Sequence, residues 1–158
     1  MLAENVYLML FGISQIFIGG VGMATDDERK VAFANSYMKY PWIDEFLMKK
    51  PGVSRNIENW NWIRYMTGDK MFAAVCLDDN DKPYYITFKA VPEEGEFLRG
   101  QYEDIIPGFY MNKVHWNSAN PNGNIPDDLL KSLLEKSYEL VLKSFSKKKQ
   151  LEITGENL

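Results

Sequence analysis

Histidine and cysteine are nearly missing from this chain, which carries one of each, His115 and Cys76. A single cysteine forms no internal disulfide, and with one histidine it cannot assemble a Cys/His zinc site. No metal or other cofactor is called for by these residues. Cys76 lies in the apolar run MFAAVCL at 71–77, where low polarity raises a thiol's pKa, so it reads as a small buried hydrophobe. Any histidine-based acid–base step has only His115 to use, and no serine or cysteine stands beside it in a nucleophile motif. It reads as a structural histidine.

Positive charge is also short. Eighteen Lys and Arg against 22 Asp and Glu give a net charge of −4 and a pI near 5.1, a balance that argues against a general binder of phosphate backbones. The GGVG at 19–22 is followed neither by a phosphate-binding lysine nor by a dinucleotide fingerprint. Paired acids Asp26 and Asp27, Glu93 and Glu94, and Asp127 and Asp128 each stand where a helix begins, and Asp78 and Asp79 stand in a turn. None requires catalysis, so no enzyme is expected. No internal repeat is visible.

What is plentiful is apolar and aromatic surface. A 46% hydrophobic content with 14% aromatics is ample for one core, and such large side chains favour a sheet. Residues 6–22 are apolar and uncharged, but they are at the lower length limit for a membrane span and lack the basic start of a signal peptide. Met23 opens MATDDERK, and Gly19-Gly20 stand a few codons upstream, where a purine-rich ribosome-binding site would translate as two glycines. Residues 1–22 therefore read as an upstream extension, with an apolar N-terminal anchor as the alternative. Residues 23–150 read as one domain and 151–158 as a frayed tail. The chain is expected in a reducing cytoplasm, with no membrane partner for the mature domain.

Thr25 and Glu28 fit a capping box that starts a helix reaching about Met38, and Pro41 ends it. A short helix over 42–49 follows, then a polar connection, SRNIENWN. Residues 60–66, 71–77 and 84–90 read as three strands joined by tight turns. The middle one is apolar on both faces and so central. The third alternates, with Tyr84, Ile86 and Phe88 inward and Tyr85, Thr87 and Lys89 outward. Pro92 opens another short helix, to about Tyr102.

Phe109, Tyr110, His115 and Trp116 then lie in an extended aromatic segment, and NPNG at 120–123 is a turn. Pro126 starts the strongest helix, in which Leu129, Leu130, Leu133, Leu134, Tyr138, Val141, Leu142 and Phe145 recur at three-and-four spacing over about five turns. The order is α-α-β-β-β-α-β-β-α. Strands grouped into meanders imply an α+β fold with an antiparallel sheet of about five strands and helices packed on it.

PGFYMNKVHW at 107–116, followed by a turn, PDDLLKSLLEKSYELV and a lysine run, resembles the C-terminal signature of the MmcQ/YjbR family, small bacterial-type proteins usually labelled DNA-binding. GDKMFAAVCL at 68–77 and KPGV at 50–53 resemble two further blocks of that family, in the same order. The resemblance covers roughly residues 50–149. It implies a CyaY-like or secretion-chaperone-like arrangement with helices on one side of the sheet, and DNA as the partner. The candidate contacts are Lys113, His115 and Trp116 of the signature, Tyr85 and Lys89 on the outward face of a strand, Arg64, and the tail lysines Lys147, Lys148 and Lys149. Lysines would hold phosphates while exposed aromatics stack on unpaired bases. The alternative is a protein-interaction module, since the folds it resembles also bind partner proteins through the sheet, and the overall acidity favours that reading. Mass spectrometry of the native protein tests the reading of the N-terminus: no peptide is expected from before Met23, and recovery of one overturns the upstream extension.

Overall fold

The computed structural model describes residues 22–58 and 60–156. The apolar run expected to be an extension or an anchor lies, apart from Gly22, outside the described residues. Eleven elements follow one another: α1 (Asp26–Asn35), α2 (Ile43–Met48), β1 (Val53–Glu58), β2 (Trp62–Thr67), β3 (Lys70–Leu77), β4 (Pro83–Lys89), α3 (Pro92–Gln101), β5 (Ile105–Pro107), β6 (Trp116–Ala119), α4 (Asp127–Leu142) and α5 (Lys147–Thr154). The strands form one antiparallel sheet in the order β1-β2-β3-β4-β6-β5. The fold is α+β, with six strands where about five were expected.

The additional strand is β1, from the stretch that reads as a polar connection. Its pattern is hidden because Arg55 occupies a core-facing position between Val53 and Ile57. Arg55 is accommodated there by Asp44 on α2, whose two carboxylate oxygens accept from the guanidinium at 2.7 and 2.6 Å. The Tyr65 hydroxyl donates to the same carboxylate at 2.8 Å. A half-buried charge with its partner in place replaces an apolar residue, so alternation in sequence fails to announce the strand.

The capping box opens α1 as expected: Thr25 Oγ1 accepts from the Glu28 amide at 3.1 Å and Glu28 Oε2 accepts from the Thr25 amide at 2.9 Å. The helix stops at Asn35, short of Met38. Pro126 is the residue before the first turn of α4 rather than the first residue within it, and Phe145 falls beyond the helix end at Leu142. The expected frayed tail is also corrected. Ser146 caps α5 through the Lys149 amide, and the helix runs to Thr154. It lies so close to Gly52 that a Cβ there would stand 2.2 Å from the Ile153 carbonyl oxygen, and Gly52 itself has φ +73°. Glycine is therefore required at this contact.

The core lies between the helices and one face of the sheet. Leu130, Leu133, Leu134, Tyr138 and Val141 of α4 meet Ile63, Phe72, Val75, Ile86 and Phe88. Within that apolar stripe sits Ser137, fully buried. The register that pairs Ala73 with Phe88 would next set Phe72 opposite Lys89. At that rung the Ser137 hydroxyl accepts from the Lys89 amide at 2.8 Å and donates to the Phe72 carbonyl at 2.6 Å. One side chain of the helix thus completes the ladder between two strands. Ser137→Ala leaves both backbone groups without that partner and is expected to cost about 1–3 kcal/mol in urea unfolding; an unchanged midpoint would show that the strands close the rung by themselves.

Candidate nucleic-acid interface

Among the described residues the other face of the sheet has no helical layer; it carries Trp62, Ala74 and Cys76, packed with Met71, Tyr84, Tyr85 and Met111. Tyr84 was expected inward. Instead the register of β3 and β4 shifts between Cys76, which pairs with Tyr85, and Leu77, which pairs with Pro83, so Tyr84 is the unpaired residue of a bulge. The bulge brings Tyr84 beside Tyr85 on the outer face, where its hydroxyl oxygen accepts from Trp62 Nε1 at 3.4 Å. Burial pushes the Tyr84 phenol pKa up.

Expected as an extended stretch, residues 108–115 form a loop that folds back over this face. Gly108 begins it in close contact with β6: its amide donates to the Trp116 carbonyl at 2.7 Å, and a Cβ would stand 2.7 Å from the Trp116 Cβ. Phe109 donates its amide to Ser118 Oγ at 3.2 Å. Asn112 Oδ1 accepts from the amides of Val114 at 2.9 Å and His115 at 3.3 Å, closing the far turn. The result is a row of rings, with centroids 5.2 Å apart from Tyr84 to Tyr85, 5.3 Å from Tyr85 to Phe109 and 4.3 Å from Phe109 to Tyr110. Tyr110, at the end of the row, is 70% exposed and has φ +63°.

Trp60 repeats that combination at the tip between β1 and β2. It is 78% exposed and has φ +73°. Asn61, also left-handed, anchors the tip: its Oδ1 accepts from Lys30 at 2.7 Å, and its amide nitrogen donates to Asp81 at 2.8 Å and to the Asp78 carbonyl at 3.1 Å. The Asn61 amide, with Lys30 behind it, holds the Asp81 carboxyl below the usual range. Trp60 and Tyr110 are thus both large side chains held out in water on left-handed backbone.

The residues singled out from sequence separate into two regions. Lys113 is exposed in the loop, with Nζ 3.2 Å from the Gly108 carbonyl oxygen. His115 is exposed too, and the satisfied group there is its backbone carbonyl, which accepts from Ala90 at 2.9 Å. Trp116 is 9% exposed, so it supports the face more than it presents a stacking surface, and Lys89 Nζ stands 5.7 Å from its ring centroid. Tyr85 is half-buried in the ring row. Arg64 lies along β1, donating to Asn56 at 2.8 Å and Glu58 at 2.6 Å.

Lys147, Lys148 and Lys149 are on α5, which packs at Gly52 and Gly68, a strand length away from Trp62. They do not join the aromatic face. Sequence reading missed Trp60, Trp62, Tyr84, Phe109 and Tyr110 as site residues. The bulge that turns Tyr84 to this face and the left-handed turns that expose Trp60 and Tyr110 leave no periodic signal in the sequence. Among the described residues no three His, Cys, Asp or Glu side chains converge as a metal site, and no helix is long and apolar enough to cross a membrane.

A one-sided helical layer on an antiparallel sheet defines the class as α+β, and the comparisons define it further. The YjbR family profile matches residues 48–140, and the chain belongs to the YjbR family. It is 32% identical to the Escherichia coli K12 protein YjbR over 96 residues, which is 60% of this chain and 80% of that one. YyaQ of Bacillus subtilis is 28% identical over 103 residues, 64% of this chain and 81% of the relative. Among solved structures, the Deinococcus radiodurans protein DR2400 is similar with a TM-score of 0.65 and 26% identity, over 74% of this chain and 88% of that one. A Pseudomonas syringae protein is similar with a TM-score of 0.55 and 25% identity, over 65% and 98% of the two chains.

Cys76 is buried beneath this face, with Sγ 3.8 Å from Thr87 Oγ1. Burial pushes its thiol up to about 12, and the Thr87 contact offsets only part of that. A thiol reagent at mildly alkaline pH is therefore expected to label Cys76 only after unfolding. Stoichiometric labelling of the native protein would contradict a closed outer face.

Proposed function

We propose that this protein is a non-catalytic DNA-binding protein of low sequence specificity, acting in the cytoplasm, that takes unpaired bases on the outer face of its sheet. The observation that carries the reading is the ring row from Tyr84 to Tyr110, open to water at the Tyr110 end. Every base has a π-face, so stacking on such rings is worth roughly 1–3 kcal/mol per base with little regard to sequence. Lys113 stands in the loop that carries Phe109 and Tyr110, Lys89 beside Trp116 and Arg64 beside Glu58, and each can exchange an internal partner for a phosphate oxygen.

A protein partner on the same face is the second reading. It is favoured by Arg64 and Lys113 being engaged within the chain and by the net charge of −4. Fluorescence anisotropy with single- and double-stranded DNA separates the two. With about two or three phosphates held, the slope of log affinity against log salt for a single strand is expected near −1.4 to −2.1, at about −0.7 per phosphate. Lys113→Ala should flatten it by about 0.7, and Tyr110→Ala should weaken binding by about 1–3 kcal/mol. Absence of binding even at about 50 mM salt, where phosphate contacts are strong, would leave the protein-interaction reading.

A further inference from the structure

Beside the ring row lies a cleft of about 310 Å³ lined by Tyr84, Tyr85, Glu103, Asp104, Ile106 and Asn120. That is the small end of the range of ligand pockets, roughly 300–1,000 Å³, and suits one planar heterocycle better than a whole nucleotide. Two tyrosines and an isoleucine give it flat apolar walls. Its acceptors are the Glu103 and Asp104 carboxylates and the Asn120 amide oxygen, beside the hydroxyls of the two tyrosines.

Most of those acceptors are occupied. Asp104 accepts from the Asn124 amide at 2.8 Å and from Asn120 Nδ2 at 3.5 Å, and Asn120 Oδ1 accepts from the Asn122 amide at 2.9 Å. Glu103 is exposed and makes no hydrogen bond or ion pair among the described residues. A free carboxylate at the mouth of an aromatic cleft offers two parallel oxygens to a ligand with two adjacent N–H donors.

Among the bases, guanine alone carries two such donors side by side, N1–H and the N2 amino group. Adenine and cytosine set one amino group next to an acceptor nitrogen, and thymine sets one N–H between two carbonyl oxygens. Those acceptors face the carboxylate unfavourably, which discriminates by repulsion as well as by attraction. In a duplex the same edge of guanine is occupied by cytosine. We infer that the cleft holds the base of an unpaired guanine, with Tyr84 and Tyr85 against the ring system and the Glu103 carboxylate on N1–H and N2–H. This rests on the nucleic-acid reading of the face and narrows it: general stacking along the row, with one position that prefers guanine.

The test is anisotropy with a short labelled oligothymidine strand carrying a single central guanine, and with counterparts bearing adenine, cytosine or thymine at that position. The guanine strand is expected to bind about tenfold more tightly, the effect of one good charge-assisted pair of hydrogen bonds. Glu103→Gln replaces one acceptor oxygen by a donor and is expected to abolish that preference while binding the all-thymine strand at least as tightly as before. Glu103 makes no internal contact that the substitution could break. Equal affinity for the four strands, or a guanine preference that survives Glu103→Gln, overturns the guanine pocket and leaves the general DNA reading intact. Failure of every strand to bind removes both.

Discussion

A single hydroxyl in the long helix α4 governs how this fold closes. Ser137 supplies both a donor and an acceptor at the rung between Phe72 and Lys89, from the middle of an otherwise apolar stripe. Leucine packing resists sliding by interdigitation, but it supplies no partner to the two backbone groups at that rung. The two hydrogen bonds, with the Tyr138 hydroxyl donating to the Pro51 carbonyl at 2.6 Å, tie the helix to the sheet in one register. Everything on the outer face depends on that alignment, because β3 and β4 carry Cys76, Tyr84 and Tyr85 on the side away from α4.

Among the described residues the helices are committed to one face, and the other is covered by side chains and one loop. The cluster on Trp62, Ala74 and Cys76 is small, and its covering is made of tyrosines, methionines and the aromatic loop at 108–115. A helix would have buried this surface completely. A loop pinned at Gly108 and Asn112 covers Cys76 and Thr87 while leaving the edge of the ring row in water. The same arrangement that protects the thiol creates the open stacking surface.

What could be read from the sequence followed from periodicity. The stripe of α4, the capping box of α1, the central apolar strand and the antiparallel α+β class are each dictated by spacing, and the family resemblance agreed with the matching region. The failures have physical causes. β1 was hidden by Arg55, whose partner Asp44 is eleven residues away in sequence and becomes adjacent only in the fold. Tyr84 was assigned to the wrong face because a bulge breaks the period of two. Ser137 left no trace, since a buried polar residue in a helix stripe resembles an interruption until its partners are seen. The tail lysines looked like part of the site because linear proximity to the signature says nothing about which end of the sheet α5 packs against.

The acidity of the chain then acquires a specific meaning. A binder that relied on counterion release would need many free cations on one surface, whereas here Arg64 donates to Glu58, Lys149 pairs with Glu152 and Lys136 with Glu94. Long-range attraction to a polyanion is therefore weak, so the proposed DNA binding rests on short-range contacts that need the bases themselves. Rings held out at Trp60 and Tyr110 by left-handed backbone supply such contacts only to a ligand whose flat faces are accessible. A duplex hides those faces within its own stack, and a net negative charge discourages its backbone from approaching. On the proposed DNA reading, exposed aromatics and engaged cations together favour an unpaired strand, and acidity becomes part of the discrimination.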